Sequence, residues 1–289
     1  MSRAVSGAQR IREVVAERTV LMPGVYDALT ARIAARVGFE IVFISGYSVS
    51  AVRLGEPDFG FLTETEMAEA ARAVCRVSTA PVIVDADTGY GNAVNVIRTV
   101  RDFQDAGAAG VFLEDQVWPK KCGHFEGKQV VPVEEHAAKI RAASEARGER
   151  DLFVVARTDA RQPLGLEQAI ERCLAYKEAG ADALFVEAPR SVEELEQIAS
   201  ALPPPLVANM IERGVTPHLS RSELEQLGFQ LIVCPLAALY ASAKAVTDVL
   251  TELREHETTA GVVDRMLAFD EFGEIVELAE RYADEARYT

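Results

Sequence analysis

Ala106-Gly107-Ala108-Ala109-Gly110-Val111-Phe112-Leu113-Glu114-Asp115 holds three signals in a fixed order: a glycine, an uninterrupted apolar run, then two carboxylates. A glycine here suits the left-handed turn that ends a helix. An apolar run with no alternation suits a strand buried on both faces. The glycine signal recurs in Gly38-Phe39-Glu40 before Ile41-Val42-Phe43-Ile44, in Ala179-Gly180-Ala181 before Ala183-Leu184-Phe185-Val186, and in Leu227-Gly228-Phe229 before Leu231-Ile232-Val233. Thr19-Val20-Leu21-Met22, breaking at Pro23-Gly24, Val82-Ile83-Val84, Phe153-Val154-Val155 and Leu206-Val207-Ala208 bring the strand candidates to eight. Amphipathic segments separate them. Residues 9–18 precede the first strand, residues 63–77 open with a capping box of Thr63 and Glu66, and residues 166–179 carry Leu166, Ile170, Cys173 and Leu174 on one face. Eight buried strands, each followed by a helix, indicate a closed parallel (β/α)8 barrel. The alternative, a doubly wound open sheet, lacks its phosphate-binding glycine fingerprint after the first strand.

Composition agrees with one large globular domain: 289 residues, 49% hydrophobic and 26% charged, enough for a sizeable core. A net charge of −15 argues against a nucleic-acid or anionic membrane surface. The first residues lack the apolar run of a secretory signal and no stretch approaches a transmembrane helix, so the cytoplasm is expected. Cys75, Cys122, Cys173 and Cys234 are too widely spaced for a zinc site or a disulfide framework, and reduced thiols are expected.

A barrel of this kind carries its active site at the C-terminal ends of the strands. Collected in order, those ends read Tyr26-Asp27, Ser45-Gly46-Tyr47, Asp85-Ala86-Asp87, Glu114-Asp115, Arg157-Thr158-Asp159, Glu187 and Asn209. Asp85 and Asp87, two apart on a strand, are expected on one side, and with Glu114 they form a like-charge cluster that calls for a cation. Oxygen donors in this number suit Mg²⁺, with Mn²⁺ as a substitute, and no His/Cys set points to zinc. After the fourth strand comes Val117-Trp118-Pro119-Lys120-Lys121-Cys122-Gly123-His124, a thiol flanked by two lysines and a histidine, with Gly123 and Gly127 giving a loop able to bend over a bound molecule. Cationic neighbours favour a thiolate there. Cys75 and Cys173 read as packing thiols, Cys234 as barrel filling, His136 and His256 as helix-surface residues, His218 as a loop residue near the mouth, and Trp118 as packing at the hinge of the loop.

Ser45-Gly46-Tyr47-Ser48-Val49-Ser50, Asp85-Ala86-Asp87-Thr88-Gly89-Tyr90-Gly91, Glu114-Asp115-Gln116 leading into Lys120-Lys121-Cys122-Gly123-His124, Ala156-Arg157-Thr158-Asp159-Ala160 and Ala208-Asn209-Met210 resemble, in order, the motifs of the isocitrate lyase/phosphoenolpyruvate mutase superfamily. The likeness runs from about Pro23 to Tyr240. It is greatest to the lyase branch and its 2-alkylmalate lyases, which include 2,3-dimethylmalate lyase and petal death protein. What the resemblance implies is a Mg²⁺ ion held by Asp85, with Asp58, Asp87 and Glu114 acting through bound waters. The substrate carboxylate would be gripped near Ser45, Gly46 and Tyr47 and by Arg157. Cleavage would release a 2-oxo acid, and the expelled carbon would be protonated by Cys122 from a mobile lid. Gly123, His124, Glu187 and Asn209 would support the lid and the leaving fragment.

The matching segment after strand eight, Pro235-Leu236-Ala237-Ala238-Leu239-Tyr240-Ala241, departs from the pattern of 2-methylisocitrate lyase, where an arginine holds a third carboxylate and Tyr240 stands here. A buried third carboxylate would lack a partner, so a 2-hydroxy dicarboxylate is expected. The same segment has no Ser or Thr hydroxyl, which lowers the expectation of oxaloacetate hydrolysis. The alternatives are oxaloacetate hydrolase, 2-methylisocitrate lyase, a phosphoenolpyruvate- or carboxyphosphonoenolpyruvate-type phosphonomutase, and a catalytically silent binding barrel. The domains read as a barrel over residues 1–255 and a helical extension over 256–289. Met266, Phe269, Phe272, Ile275, Val276, Leu278 and Tyr282 give the extension an apolar stripe that needs another surface, and the resemblance implies helices exchanged between subunits of a homotetramer.

Overall fold

A computed structural model describes residues 5–289. Its eight strands are β1 (Val20–Val25), β2 (Val42–Ile44), β3 (Val82–Asp85), β4 (Gly110–Glu114), β5 (Phe153–Thr158), β6 (Ala183–Val186), β7 (Leu206–Asn209) and β8 (Leu231–Cys234), all parallel and closed in sequence order. β1 closes the barrel by pairing β8 from Val20 to Pro23 and β2 at Gly24 and Val25. The expected break at Pro23-Gly24 is therefore not a break. The strand runs through it because the Pro235 backbone lies against Gly24, where a Cβ would stand 2.1 Å from the Pro235 carbonyl oxygen.

Helices hand the chain to strands as the glycines predict. Gly38, Gly107 and Gly228 cap their helices in the left-handed conformation, and Gly180, at φ 107°, lies one residue past its cap. Thr63 and Glu66 form the capping box of the helix Glu64–Cys75. In Leu166–Glu178 the buried face is Ala169, Arg172, Cys173 and Tyr176, while Leu174 is turned outward, a quarter-turn from the expected stripe.

Two apolar layers result. One packs the strands against the helices; the other fills the barrel with Val20, Met22, Phe43, Ile83, Phe112, Phe153, Val155, Phe185, Val207, Leu231 and Val233. The pleat has a period of two, so the next inward position beyond the filler lies at the mouth. Asp85 follows Ile83, Glu114 follows Phe112, Arg157 follows Val155, Glu187 follows Phe185 and Asn209 follows Val207. Phe43 and Phe112, with ring centroids 4.7 Å apart, and Phe112 and Phe185, 5.8 Å apart, form the floor beneath these polar groups.

The opposite phase faces the helices. Asp115, fully buried, accepts hydrogen bonds from Thr158 Oγ1 at 2.7 Å, Tyr176 Oη at 2.9 Å and Arg172 Nη1 at 3.1 Å. His136 belongs to this layer and is not a surface residue. It is wholly buried, edge-on to Tyr176 with centroids 4.6 Å apart. Burial, helped by the nearby charge of Lys139, pushes its imidazole down to about 3. His256 and His218 are exposed, as expected.

After β8 the helix Ala237–His256 buries no residue, and Val246, Leu250 and Leu253 are exposed along it. The helices Phe269–Ile275 and Leu278–Ala286 follow, the first against Ala28–Val37, with ion pairs from Arg32 to Glu277 at 2.5 Å and Arg36 to Glu274 at 3.0 Å. Among the described residues, no helix is long and apolar enough to cross a membrane.

Candidate active site

Residues 118–127 cross the barrel mouth above the polar ring. They rise from a two-stranded stem in which Gln116 bridges Val130 and the Val117 amide donates to the Gln129 carbonyl at 2.8 Å. The Gln116 side chain holds the loop on both edges of Lys121, donating to its carbonyl at 2.8 Å and accepting from its amide at 3.0 Å. The Cys122 amide donates to the Asp58 carbonyl at 3.1 Å. Beneath the loop a small cavity of about 40 Å³ remains, lined among others by Ser45, Tyr47, Asp58, Asp85, Lys120, Cys122, Gly123, His124, Arg157, Glu187 and Asn209. Space for only a few waters means the loop must lift to admit a molecule. Ten of the sequence-predicted site residues thus share one cavity. Asp87 and Glu114 join them through ion contacts, and Gly46 through its amide, which donates to Asp85 Oδ2 at 3.2 Å.

The two adjacent lysines part company. Lys120 turns inward, its Nζ 2.6 Å from Asp58 Oδ1 and 2.7 Å from Asp87 Oδ1. Burial alone would discharge it, but the carboxylates around it outweigh burial and keep it protonated. Lys121 turns outward over the Phe59 ring, 6.0 Å from its centroid. Neither lysine lowers the thiol. Burial, followed by the negative charge of Asp58, pushes Cys122 up to about 12, so that at 9% exposure it stays the protonated thiol that a proton donor must be, although cationic neighbours alone would favour a thiolate.

Asp87 reaches the cluster by a different route from the one its spacing suggests. β3 ends at Asp85, and Asp87 lies beyond it in the left-handed region at φ 45°, its amide donating to Asp85 Oδ1 at 3.2 Å. Burial, only partly offset by Lys120, and repulsion by Asp85 and Asp58 push its carboxyl up to about 7. Burial also pushes Glu114 well above the usual carboxylate range, against the pull of Arg157. Oδ1 of Asp87 is held by Lys120, while Oε1 of Glu114 is buried with no hydrogen-bond partner.

Arg157 lies over Phe185 at 5.4 Å and is ringed by acids: Asp159 at 2.9 Å, Glu114 at 3.4 Å and Glu187 at 3.6 Å from Nε. For Asp159 and Glu187 burial acts upward, but the Arg157 charge and, respectively, the Lys128 charge and the hydrogen bond from His124 hold both below the usual range. His124 is fixed from two sides. Its Nδ1 accepts from the Val215 amide at 3.1 Å, which leaves Nε2 facing Glu187 Oε1 at 3.1 Å, and Asn209 Nδ2 donates to the same carboxylate oxygen at 3.1 Å.

Acids outnumber cations here: Asp58, Asp85, Asp87, Glu114, Asp159 and Glu187 face Lys120, Lys128 and Arg157. A surplus of hard oxygen donors, with Glu114 Oε1 left unpartnered, fits a hard divalent cation. Among the described residues no three His, Cys, Asp or Glu side chains converge closely enough to hold an ion by themselves. Water would therefore complete the coordination, as Mg²⁺ usually requires.

Sequence reasoning missed Lys120 as the counter-charge of the cluster and Lys128 altogether; Asp159 stands among the strand ends it collected, but without a role. Lys128, on an irregular loop, carries no periodic signal. Tyr26 and Asp27 are drawn away from the cavity. Tyr26 Oη lies 3.0 Å from Ser242 Oγ, and Asp27 caps the helix Ala28–Val37. Trp118 stands at the stem, half-exposed, 6.3 Å from Tyr90 between ring centroids.

A closed (β/α)8 barrel with a polar, lidded mouth of this composition defines a TIM-barrel enzyme of the isocitrate lyase/phosphoenolpyruvate mutase type. The chain belongs to that superfamily, since the phosphoenolpyruvate phosphomutase family matches residues 11–254. Among its relatives are the chloroplastic carboxyvinyl-carboxyphosphonate phosphorylmutase of Arabidopsis thaliana, 56% identical over 93% of this chain and 81% of the relative, and the petal death protein of Dianthus caryophyllus, 52% identical over 93% and 85%. The 2,3-dimethylmalate lyase of Eubacterium barkeri is 48% identical over 94% of each. A crystal structure of a 2,3-dimethylmalate lyase superposes with a TM-score of 0.93 at 34% identity, covering 99% of this chain and 96% of that one.

Proposed function

We propose that the protein is a Mg²⁺-dependent carbon–carbon lyase that cleaves a 2-hydroxy dicarboxylate of the 2-alkylmalate type into a 2-oxo acid and a carboxylate. The observation that carries this reading is Cys122, buried on the loop in a small cavity that Asp58, Asp85 and Glu187 also line, where burial keeps its thiol protonated. As the C2 hydroxyl gives up its proton and becomes the carbonyl of the 2-oxo acid, the C2–C3 bond breaks and leaves its pair of electrons on C3, next to a carboxylate; the proton lost from the hydroxyl balances the one that later returns to the thiolate. That carbon needs one proton and must not meet water first. A buried, protonated thiol on a lid supplies it. The thiolate left behind accepts from the His124 amide and lies near the Arg157 charge, which together stabilise it until it is reprotonated.

Asp85, with Asp58, Asp87 and Glu114 through waters, would hold Mg²⁺, or Mn²⁺ in its place; when bound, the ion supplies Lewis-acid polarisation of the substrate's oxygens. Arg157, with Ser45, Gly46 and Tyr47, would bind and orient the C1 carboxylate. His124, Glu187 and Asn209 would hold Gly123 and the lid tip in register over the leaving fragment. The lining contains no arginine beyond Arg157, and Lys120 and Arg157 are already matched by acids. Tyr240, 42% exposed, faces Tyr47 and not a cation. These features favour a dicarboxylate over a tricarboxylate.

The test is release of 2-oxo acid from a panel of (R)- and (S)-2-alkylmalates, 2,3-dimethylmalate, 2-methylisocitrate, isocitrate, oxaloacetate and phosphonopyruvate, with Mg²⁺ and beside Cys122→Ser. Turnover of an alkylmalate, abolished by EDTA and by the serine variant, is expected. Activity confined to tricarboxylates would sink the use of Tyr240, and 2-oxo acid release confined to phosphonopyruvate would make the protein a phosphonate hydrolase.

The same reading makes residues 256–289 an extension for assembly. Of its apolar stripe, Met266, Phe269, Phe272, Val276 and Tyr282 are exposed, as are Val246, Leu250 and Leu253 on the preceding helix. Their exchange between copies would build a homotetramer, checked by light scattering in solution. The cytoplasm remains the compartment proposed, with fractionation as its check.

A further inference from the structure

Lys128 takes no part in the scheme above, yet its side chain has no exposure at all and its ammonium serves two masters. It lies 2.8 Å from Asp159 Oδ1, and it donates to the carbonyl of Gly123 at the lid tip. A buried ammonium without a partner is costly, so this one is fixed by Asp159 whatever the lid does. Asp159 is itself immobile. Its amide donates to Asp115 Oδ1 at 2.8 Å, and Asp115 is held by Thr158, Tyr176 and Arg172.

The chain around Lys128 is equally anchored. Next to it Gln129 pairs with Val117 in the stem; further on, the Val131 amide donates to the Asp115 carbonyl at 2.9 Å and the Val131 carbonyl accepts from Arg172 at 2.9 Å. Gly123 lies on the irregular tip, where its neighbours Cys122 and His124 are held by contacts that the tip makes to other segments, at Asp58, Val215 and Glu187, and that part with the lid. Opening the lid therefore lifts the Gly123 carbonyl off a post that stays in place. That post shares Asp159 with Arg157, which holds the same carboxylate through Nε at 2.9 Å and Nη2 at 3.1 Å.

We propose that Lys128 is a positioning residue: the fixed post on which the lid tip docks through the Gly123 carbonyl, setting the fraction of time that Cys122 is shut over the substrate. Through Asp159 the docking post and the Arg157 carboxylate grip are built on one side chain. The inference rests on the reading that a closed lid presents Cys122 to the reaction, but it is tested without turnover.

The experiment is alkylation of the full-length protein with N-ethylmaleimide, followed by peptide-resolved mass spectrometry. Cys122 reports lid opening, and Cys173, wholly buried on Leu166–Glu178, reports global opening in the same sample. In Lys128→Met the Cys122 rate is expected to rise about tenfold, the shift given by one lost charge-assisted hydrogen bond, with the Cys173 rate unchanged. An equal rise at both thiols would mean a merely structural role, and no rise at Cys122 would mean no latch; either overturns the proposal. Should Lys128→Met fail to fold, Lys128→Gln is read by the same two rates. Silence of the wild-type protein on the substrate panel, with selective Cys122 exposure in the variant, would remove the proposed reaction and leave the latch standing.

Discussion

Gly123→Ala tests how closely the lid must seat. A Cβ at Gly123 would stand 2.4 Å from Arg157 Nη2 and 2.6 Å from Glu187 Cγ. Ordinary contact starts at 3.4 Å, so the tip has to retreat by about 1 Å. Neither neighbour can yield instead, because Arg157 is clamped by Asp159 and Glu187 by Asn209 and His124. A retreat of that size displaces Cys122 from the carbon it must protonate, and misplacement by about 1 Å can cost about 10²-fold in rate. The substrate-binding groups of the barrel itself are untouched, so KM should change much less than kcat. The melting temperature should hold within a degree or two, since the lid adds little to the core. The assay is steady-state 2-oxo acid release by Gly123→Ala beside a thermal melt. A variant with kcat within threefold of the wild type would show that the tip need not approach Arg157 and Glu187 this closely, and the lid-closure argument would fail.

Lys120→Met removes the ammonium between Asp58 and Asp87; kcat should fall by about 10²-fold or more, measured in the same assay, because two buried carboxylates lose their fixed counter-charge. His136 is neutral when folded, at about 3 against 6.5 when free, so the stability it confers is present above pH 6.5 and is lost as pH falls. Between pH 6.5 and 5 that loss is about 2 kcal/mol, and urea denaturation of His136→Phe should show a correspondingly flatter acid limb. Burial pushes Cys75 up to about 12 and Cys234 up to about 11, from 9.0. Below pH 9 both thiols are protonated whether folded or not. Above it the unfolded chain ionises first, so the melting temperature should decline between about pH 9 and 11, less steeply in Cys75→Ala, as followed by circular dichroism.

The barrel was legible because its evidence is local. Each strand is an apolar run flanked by a helix-ending glycine or by carboxylates, and all eight runs became strands. The errors share one cause. Pro23-Gly24 looked like a break because nothing in the neighbouring residues shows Pro235 lying against it. His136 looked like a surface residue because its partner, Tyr176, is on another helix. Lys120 and Lys121 looked like a pair of cations for the thiol, and only the packed loop sends one into the acid cluster and the other onto Phe59. Asp87 was assigned to the right group of residues by the wrong geometry, since a left-handed turn and not the pleat aims it.

By itself the sequence determined the closed eight-stranded architecture, the acidic strand ends and the cysteine loop that follows the fourth strand, because periodicity and turn chemistry act over a few residues. Tertiary structure alone decided the charge states: a neutral Cys122, a charged Lys120 inside the acids, an Asp87 pushed up to about 7, and Lys128 bridging the lid tip to Asp159. The physical reason is that protonation depends on burial and on the field of every nearby charge. The charges that meet at this mouth come from several strands and one loop, and only the closed barrel brings them within a few ångströms of one another.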